Sequence, residues 1–336
     1  MSAQSLAYVE LYVGDSPAVQ DYFMTAMGFT RVAESVTDHR ASALLRQGEV
    51  DLVITSGPAT AQFLNEHGDG VADIALSCDD VSATSAAARA AGADVTVVDG
   101  QPVVSGFGAV RHTLVPADFG RWPANPVRAA RSGAPTESDG HVRLLDHVAI
   151  CVAGGSLQKV VDFYGAGLGL APFSSEYVDV GGQAMDSVVV RSASAGVTFT
   201  LVAPDLARNP GQLDAFLERN GGPGVQHLAF LVDDILSAVA QFRERGVTFL
   251  TTPRSYYDML GERFPEMASD IGALRAANVL ADRDEWGFLL QLFSRSPHDR
   301  NTLFYELIQR RGSRGFGSRN IRALYEAVER DRLVAE

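Results

Sequence analysis

Two segments of the chain repeat one pattern and decide how the rest is divided. GVQHLAFLVDDILSAVAQFRERGVTF at 224–249 resembles GVADIALSCDDVSATSAAARAAGADV at 70–95. Each begins as an apolar strand, passes through Asp-Asp and continues as a helix that ends near glycine. A second pair, LAYVELYVGDSPAVQDYFMTAMGFT at 6–30 and LDHVAICVAGGSLQKVVDFYGAGLGL at 145–170, shows a strand, a turn and an amphipathic helix. Two related halves are therefore predicted, each with two strand–helix units.

The repeat predicts an α+β fold of paired βαβββ modules. Further strands are expected at LVITSG, VRHTLV, MDSVVVRS, VTFTLVAP and GFLLQLFS, so that each half forms a strongly curved mixed sheet around a cavity. The predicted domains are 1–120 and 143–336, joined by a linker over 121–142 that is rich in Pro, Gly, Ala and Ser. A final helix is expected over 320–333, after a glycine-rich loop.

Composition narrows the class of protein without giving a chemistry. A chain of 336 residues with 46% hydrophobic and 21% charged residues is typical of a soluble two-domain protein, and it has no apolar run long enough to span a membrane. The net charge of −13 argues against nucleic acid but does not exclude a small anionic substrate. Two cysteines, Cys78 and Cys151, and an N-terminus without export features predict the reducing cytoplasm.

Comparison of the halves selects the candidate metal ligands. His147 aligns with Tyr8 and His227 aligns with Asp73, and core histidines would have little reason to be replaced at both positions. Glu306, in the apolar segment NTLFYELIQR, completes an even spacing, since 227 − 147 = 80 and 306 − 227 = 79. Two imidazoles and one carboxylate on different strands are typical of non-haem Fe(II) oxygenases. The second half is therefore predicted to carry the metal site, and the first half to lack metal ligands.

Other ionisable and polar residues receive structural interpretations. The alternative for His227 itself is a core histidine bonded to a backbone carbonyl. Cys151 is expected in core packing, and the two Asp-Asp pairs are expected to cap helices. The remaining histidines lie in polar or loop contexts and are expected to be solvated: His39, His67, His112, His141 and His298.

Five segments carry a resemblance to a known family. LDHVAICV, GVQHLAF, GFLLQLFS, FYELIQRRG and GFGSRNIRALYEAVE resemble the 4-hydroxyphenylpyruvate dioxygenase family of the vicinal oxygen chelate superfamily, over about residues 6–330. The resemblance implies glyoxalase-like open barrels with a C-terminal lid helix. It also implies Fe(II) held by His147, His227 and Glu306, with O₂ and an aryl-pyruvate as substrates and no catalytic residue beyond the metal site. HGDGVADIA and YYDMLGER are most similar to members that form 4-hydroxymandelate.

The resemblance also implies a substrate pocket. Phe293 and Phe316 would sandwich the aryl ring, and Tyr325 on the final helix would help to cover the mouth. Homogentisate-forming members carry a Pro–x–Asn pattern at the positions of Thr200 and Val202, and usually Phe at the position of Ile321. These three residues are therefore expected to tilt the ring toward benzylic hydroxylation. Polar contacts to the substrate are expected from Ser187, Gln226 and Gln291.

Several alternatives stay open at this point. Within the family, the product could be homogentisate, or the substrate could be phenylpyruvate or another 2-oxo acid. Asp186 stands where an uncharged residue is expected, and strand alternation turns it outward if Ser187 faces the cavity. Outside the family's chemistry, the scaffold could be a metal-free binding protein, or an isomerase or lyase that uses a non-redox divalent metal. A homodimer is one candidate assembly.

Overall fold

The computed structural model describes residues 2–119, 128–129, 140–317, 319–320 and 322, and these form two mixed β-sheets. The strands of the first sheet are β1 (Ala3–Tyr12), β2 (Thr30–Val36), β3 (Ala41–Gln47), β4 (Val50–Ser56), β5 (Gly70–Cys78), β6 (Val95–Val98), β7 (Gln101–Ser105), β8 (Arg111–Pro116) and β9 (Arg128–Ala129). The strands of the second sheet are β10 (Val142–Cys151), β11 (Ala171–Val180), β12 (Gln183–Arg191), β13 (Thr198–Pro204), β14 (Gly224–Val232), β15 (Leu280–Arg283), β16 (Phe288–Phe293) and β17 (Phe304–Arg311).

Helices connect the strands and cover the sheets. They are α1 (Ser16–Asp21), α2 (Ala61–His67), α3 (Val81–Ala90), α4 (Leu157–Leu168), α5 (Gln212–Asn220), α6 (Ile235–Glu244), α7 (Arg254–Arg263) and α8 (Ile271–Ala277). Asp80 accepts a hydrogen bond from the Ala83 N–H at the start of α3, and Asp234 caps α6 in the same way. The interpretation of both residues as helix caps is confirmed. Within the described residues, no helix is long and apolar enough to cross a membrane.

The strand order confirms the internal repeat. The first sheet runs β6-β7-β8-β5-β1-β4-β3-β2, with β9 at its edge, and the second runs β15-β16-β17-β14-β10-β13-β12-β11. In each sheet the two central strands pair antiparallel, β1 with β5 and β10 with β14, and each of them has a parallel neighbour on its other side. The α+β fold of paired βαβββ modules is therefore confirmed. Within the predicted linker, β9 pairs with β2, and β10 begins at Val142.

Matching irregularities in the central pairs fix which residues face the inside of each sheet. The register of β1 against β5 shifts between Leu6 and Tyr8, and that of β10 against β14 shifts between Leu145 and His147. An extra residue on one strand of an antiparallel pair bends the strand and increases its twist. Because the shifts occur at equivalent places, Tyr8 and His147 occupy equivalent positions in the two sheets.

Three of the remaining histidines are buried, so the expectation that they are solvated is wrong for them. His112 is fully buried, where Nδ1 lies 3.0 Å from the Ile74 carbonyl oxygen and Nε2 lies 2.9 Å from the Tyr164 hydroxyl. His67 and His298 are also buried, and His39 is exposed. The local sequence context was misleading because the partners are distant in the chain: Tyr164 for His112, Asn220 for His67, and Asp69 for His298.

His112 fits its site as a neutral ring, in which Nδ1–H donates to the Ile74 carbonyl oxygen and Nε2 accepts from the Tyr164 hydroxyl. Burial lowers its pKa from 6.5 to about 4. Between pH 6.5 and 4, the unfolded chain therefore binds a proton at His112 that the folded chain does not bind. The free energy of unfolding falls as the pH drops through this range. The difference in the pKa of His112 between the folded and unfolded chain lowers the free energy of unfolding by up to about 3 kcal/mol, at 1.36 kcal/mol for each pKa unit.

We predict that His112→Gln removes this pH-dependent loss, because a glutamine amide keeps a donor and an acceptor without titrating. Urea unfolding at pH 7.5, 6 and 5 should show the wild type losing its advantage over the variant as the pH falls. The exposed variant His39→Gln serves as the control. A stability difference between wild type and His112→Gln that stays constant over this pH range would contradict the assignment.

Candidate metal centre

The three predicted ligands converge on the concave face of the second sheet. They lie on the adjacent strands β10, β14 and β17, whose register places His147 opposite Ala229 and Ala229 opposite Glu306. The Glu306 Oε2 atom is 3.4 Å from Nε2 of His147 and 3.2 Å from Nε2 of His227. All three ligand atoms lie within 4.8 Å of one another, so this His-His-Glu cluster could hold a metal ion. Three donors on neighbouring strands suit a divalent cation that keeps coordination positions open.

Each histidine is held through its other ring nitrogen. Nδ1 of His147 is 2.9 Å from an Asp146 carboxylate oxygen, and Nδ1 of His227 is 3.3 Å from the side-chain oxygen of Gln226. Acceptors at Nδ1 select the tautomer that leaves Nε2 free to bind a metal, an arrangement common among metal-ligating histidines. The cluster therefore has the orientation of a ligand set as well as its composition.

The electrostatics of the cluster favour a positive charge at its centre. Burial by itself would lower the pKa of His147, but hydrogen bonds to Asp146 and Glu306 outweigh it and raise the pKa to about 9. Burial lowers the pKa of His227. Burial would raise the pKa of Glu306, but its hydrogen bonds to both histidines lower it. The carboxylate thus stays ionised, and a cation bound here takes the place of the His147 proton.

Asp146 and Arg310 form a hydrogen-bonded ion pair behind His147 that was not predicted from the sequence. Asp146 is the residue without a partner on β14, at the point where the register of β10 shifts. Arg310 donates two hydrogen bonds to its carboxylate, at 2.6 and 2.7 Å. Burial would raise the pKa of Asp146, but the Arg310 and His147 hydrogen bonds hold it well below its usual range. Arg310 also donates to the carbonyl oxygens of Ser313 and Gly315. The available sequence signal was the Asp-His dipeptide and an arginine four residues after Glu306 on the same strand.

Aromatic rings surround the two histidines. Phe316 meets the His147 ring edge-on at 5.2 Å between centroids, and Phe293 meets the His227 ring edge-on at 5.9 Å. Phe304, which the sequence analysis did not single out, stacks on His227 at 5.0 Å. The two phenylalanines predicted to contact an aryl ring therefore lie beside the metal ligands, one against each histidine.

The sheet register places most of the other predicted pocket residues on the metal face. Ala149, Thr200 and Val189 are successive partners across three strands, as are Cys151, Val202 and Ser187. Because Ala149 is also the partner of His227, all of these side chains belong to one face. Cys151 is fully buried and packs with Val202, which agrees with the expected core packing.

Polar side chains on this face differ in whether they have hydrogen-bond partners. The Thr200 hydroxyl is buried and has no hydrogen-bond partner among the described residues. The Gln291 side-chain oxygen accepts from Asn320, and the Ser187 hydroxyl donates to the Glu176 carbonyl oxygen. Asp186 is exposed, as strand alternation predicts.

Three predicted pocket residues cannot be placed in the same way. Ile321 and Tyr325, with most of the predicted final helix, lie outside the described residues. Gln226 lies beside His227 at a register shift of β14 and contacts that ring, and its role toward a substrate stays a prediction.

The paired βαβββ sheets and the buried His-His-Glu cluster together define a protein of the vicinal oxygen chelate class. Comparison with known families agrees. A model of the N-terminal part of hydroxyphenylpyruvate dioxygenase matches residues 1–113, and a model of the glyoxalase/bleomycin resistance protein/dioxygenase superfamily matches residues 144–292.

Known proteins resemble the chain over nearly its whole length. The 4-hydroxyphenylpyruvate dioxygenase of Dictyostelium discoideum is 31% identical over 96% of this chain and 96% of its own, and that of Coccidioides posadasii is 30% identical over 97% and 92%. A solved triple mutant of 4-hydroxymandelate synthase from Streptomyces coelicolor has a TM-score of 0.86 and 47% identity, covering 98% of this chain and 99% of that one. The chain belongs to the 4-hydroxyphenylpyruvate dioxygenase family and is a dioxygenase.

We predict that Asp146→Asn weakens divalent metal binding about 10- to 100-fold, the usual cost of losing a partner of a ligating histidine. The amide keeps the shape of the carboxylate but loses its charge and one of the two acceptors for Arg310. Titration calorimetry with Fe(II) under nitrogen, or with Co(II) in air, measures the affinity. Asp233→Asn, which affects only an exposed ion pair with Arg143, is the control. Equal affinity of Asp146→Asn and wild type would contradict the positioning role.

Proposed function

We propose that the protein is an Fe(II)-dependent dioxygenase that converts 4-hydroxyphenylpyruvate and O₂ to 4-hydroxymandelate and CO₂. The observation that carries the proposal is the match to the synthase structure at 47% identity over nearly both whole chains, about 16 percentage points above the 31% of the Dictyostelium dioxygenase. The ligand set supports the metal assignment, since two histidines and one carboxylate with open positions suit Fe(II).

The bound iron would supply the redox chemistry with O₂, and the protein's own residues would position the substrate and exclude water. His147, His227 and Glu306 would hold the metal and leave coordination positions open for the substrate and O₂. The carboxylate and keto oxygens of the 2-oxo acid fit those open positions. Phe293 and Phe316 lie beside the two histidines, so they would offer offset or edge-to-face contacts to an aryl ring bound next to the metal.

Thr200 supplies the clearest indication of a polar ligand on this face of the second sheet. A buried hydroxyl without a partner costs on the order of 1–3 kcal/mol, so a substrate group or a water molecule is expected to bond to it. Gln291 is held through its oxygen by Asn320, which leaves its amide N–H groups for the substrate. These two residues would fix where the ring lies along the sheet.

Ring position decides between the two candidate products. When the benzylic carbon faces the metal, hydroxylation there gives 4-hydroxymandelate; when the ring carbon does, attack and side-chain migration give homogentisate. Thr200 and Val202 lie on the metal face, where homogentisate-forming relatives are expected to carry Pro and Asn. A displacement of about 1 Å can change a rate on the order of 100-fold, so this pocket change is large enough to select the product.

We predict that the protein with Fe(II), O₂ and 4-hydroxyphenylpyruvate forms 4-hydroxymandelate as its main product. Mass-resolved chromatography identifies the product, and an oxygen electrode follows uptake. The same assay with phenylpyruvate and with other 2-oxo acids defines the preferred substrate. Homogentisate as the main product would contradict the proposal in favour of the dioxygenase activity that the curated relatives are named for.

The metal requirement is tested in the same assay. His227→Ala removes one of three ligands and should abolish both metal binding and turnover. Retention of both would show that His227 is not a metal ligand. A wild-type protein that neither binds metal nor turns over a 2-oxo acid would favour a metal-free binding protein on this scaffold. Turnover without oxygen uptake would indicate an isomerase or lyase.

We predict that Thr200→Val, which keeps the shape of the side chain, raises KM about tenfold or shifts the product ratio, because the hydroxyl no longer orients the substrate. Thr302→Val is a matched control, since the Thr302 hydroxyl is also buried without a partner among the described residues but does not lie on a strand of the metal face. Steady-state kinetics with product analysis measures both effects. Unchanged KM and product ratio in Thr200→Val would remove Thr200 from the substrate site.

A further inference from the structure

The concave face of the first sheet also encloses a cavity, with a volume of about 490 Å³. Five charged side chains line it: Glu10, Arg40, Asp73, Asp99 and Arg111. The candidate metal ligands lie on the second sheet, so the proposed reaction gives this face of the first sheet no role. In the repeat, this face is the equivalent of the one that carries the candidate metal ligands.

The carboxylates of Glu10 and Asp73 are buried, and they accept hydrogen bonds from the two arginines. Glu10 and Asp73 are each 2% exposed. One oxygen of Glu10 accepts from Arg40 and from the Thr55 hydroxyl at 2.6 Å, while its other oxygen lies 3.5 Å from Nη2 of Arg111. The two guanidinium groups therefore flank a single carboxylate, which holds them close together at the cavity wall.

Asp73 completes the arrangement around Arg111. It accepts from Nε of Arg111 at 3.2 Å and from the backbone N–H of Thr113 at 2.9 Å. Nη2 of Arg111 donates in addition to the Tyr12 hydroxyl at 2.6 Å. Arg111 is thus fixed along one edge by three groups, as expected for an arginine that is oriented in advance for a ligand.

Both arginines keep one edge of the guanidinium group available. Their side chains are 30% and 33% exposed, in contrast to the carboxylates behind them. In the part of the chain that the structure describes, no acceptor lies on Nη1 of Arg40 or of Arg111. Paired N–H groups on adjacent guanidinium forks match the geometry of a carboxylate.

A purely structural ion-pair network does not account for this site. Protein interiors are close-packed, and buried ion pairs contribute little to stability compared with apolar residues of the same volume. Here the charges border a cavity large enough for a small ligand. In the second sheet, the positions equivalent to Glu10, Asp73 and Arg111 carry Ala149, His227 and Phe304. The group formed by Glu10, Arg40, Asp73 and Arg111 therefore belongs to the first sheet and is not required by the fold.

We propose that this cavity binds a small organic acid, whose carboxylate is held between Arg40 and Arg111. The hydroxyl groups of Ser35 and Thr37 and the ring of Tyr8 also line the cavity and suit the remainder of a hydroxylated or aromatic acid. The site is separate from the metal centre, so that the protein carries one small-molecule site in each half.

Binding is tested on the full chain with three probes: 4-hydroxyphenylacetate as an aromatic acid, succinate as an aliphatic one, and inorganic phosphate. Titration calorimetry gives the affinity, and hydrogen exchange read by mass spectrometry gives the location. We expect at least one carboxylate to bind and to protect the segments 3–12, 70–78 and 111–116 of the first sheet. Which of the two binds more tightly shows whether the natural ligand is aromatic or aliphatic.

The variant Arg111→Met should weaken this binding at least about tenfold, since a charge-assisted bidentate contact is lost. Arg46→Met is the matched control, because Arg46 pairs with Asp51 on the same sheet but does not line the cavity. Thermal unfolding checks that both variants fold, and Arg111→Lys, which keeps the charge without the fork, replaces Arg111→Met if the latter does not. Metal affinity should be unchanged in all of them.

Three results would overturn the proposal. They are binding of phosphate but of neither carboxylate, protection confined to the strands of the second sheet, and equal affinity in the arginine variants and wild type. Each is independent of the proposed reaction, since none of the measurements requires turnover.

Discussion

The antiparallel pairing of β10 with β14 is the constraint on which the candidate metal centre depends. Backbone hydrogen bonds fix this register, and with it the face on which His147 and His227 lie. A shift of one residue would turn every side chain of a strand to the other face. The irregularity at Asp146 adjusts the strand locally, so that Asp146 and His147, although adjacent in sequence, can hydrogen-bond to each other. The parallel pairing of β14 with β17 then brings Glu306 to the same place.

The same constraint operates in the first sheet with different side chains. Its central strands carry the equivalent register shift, and its concave face also encloses buried ionisable groups. Where the second sheet has two imidazoles and a carboxylate, the first has Tyr8, Asp73 and Thr113, with arginines nearby. One backbone frame therefore supports two chemically different clusters of side chains, because the frame specifies positions and the side chains specify chemistry.

The sequence was informative wherever a residue conflicted with its surroundings. His227 and Glu306 could be identified because an ionisable group in an apolar strand is unusual. For His147 and His227, the internal repeat supplied a comparison as well. The repeat also predicted the βαβββ order, since its period exceeds the length of any single element. Arg310 could not be identified in this way, because an arginine near a strand end is ordinary and its contact with Asp146 spans 164 residues. His112 and His298 were misjudged for a similar reason, since each has one of its two ring partners in the other half of the chain.

Arg310 connects the metal centre to the aromatic part of the pocket. Its guanidinium group holds the Asp146 carboxylate that orients His147, and it also donates to the carbonyl oxygens of Ser313 and Gly315. The same group lies 5.2 Å from the ring centroid of Phe316, which contacts His147 edge-on. A ligand histidine and the phenylalanine beside it are thus positioned by one side chain. A change in the loop that carries Phe316 therefore has a direct physical route to the metal ligand, and a change at the metal ligand has the same route to the pocket.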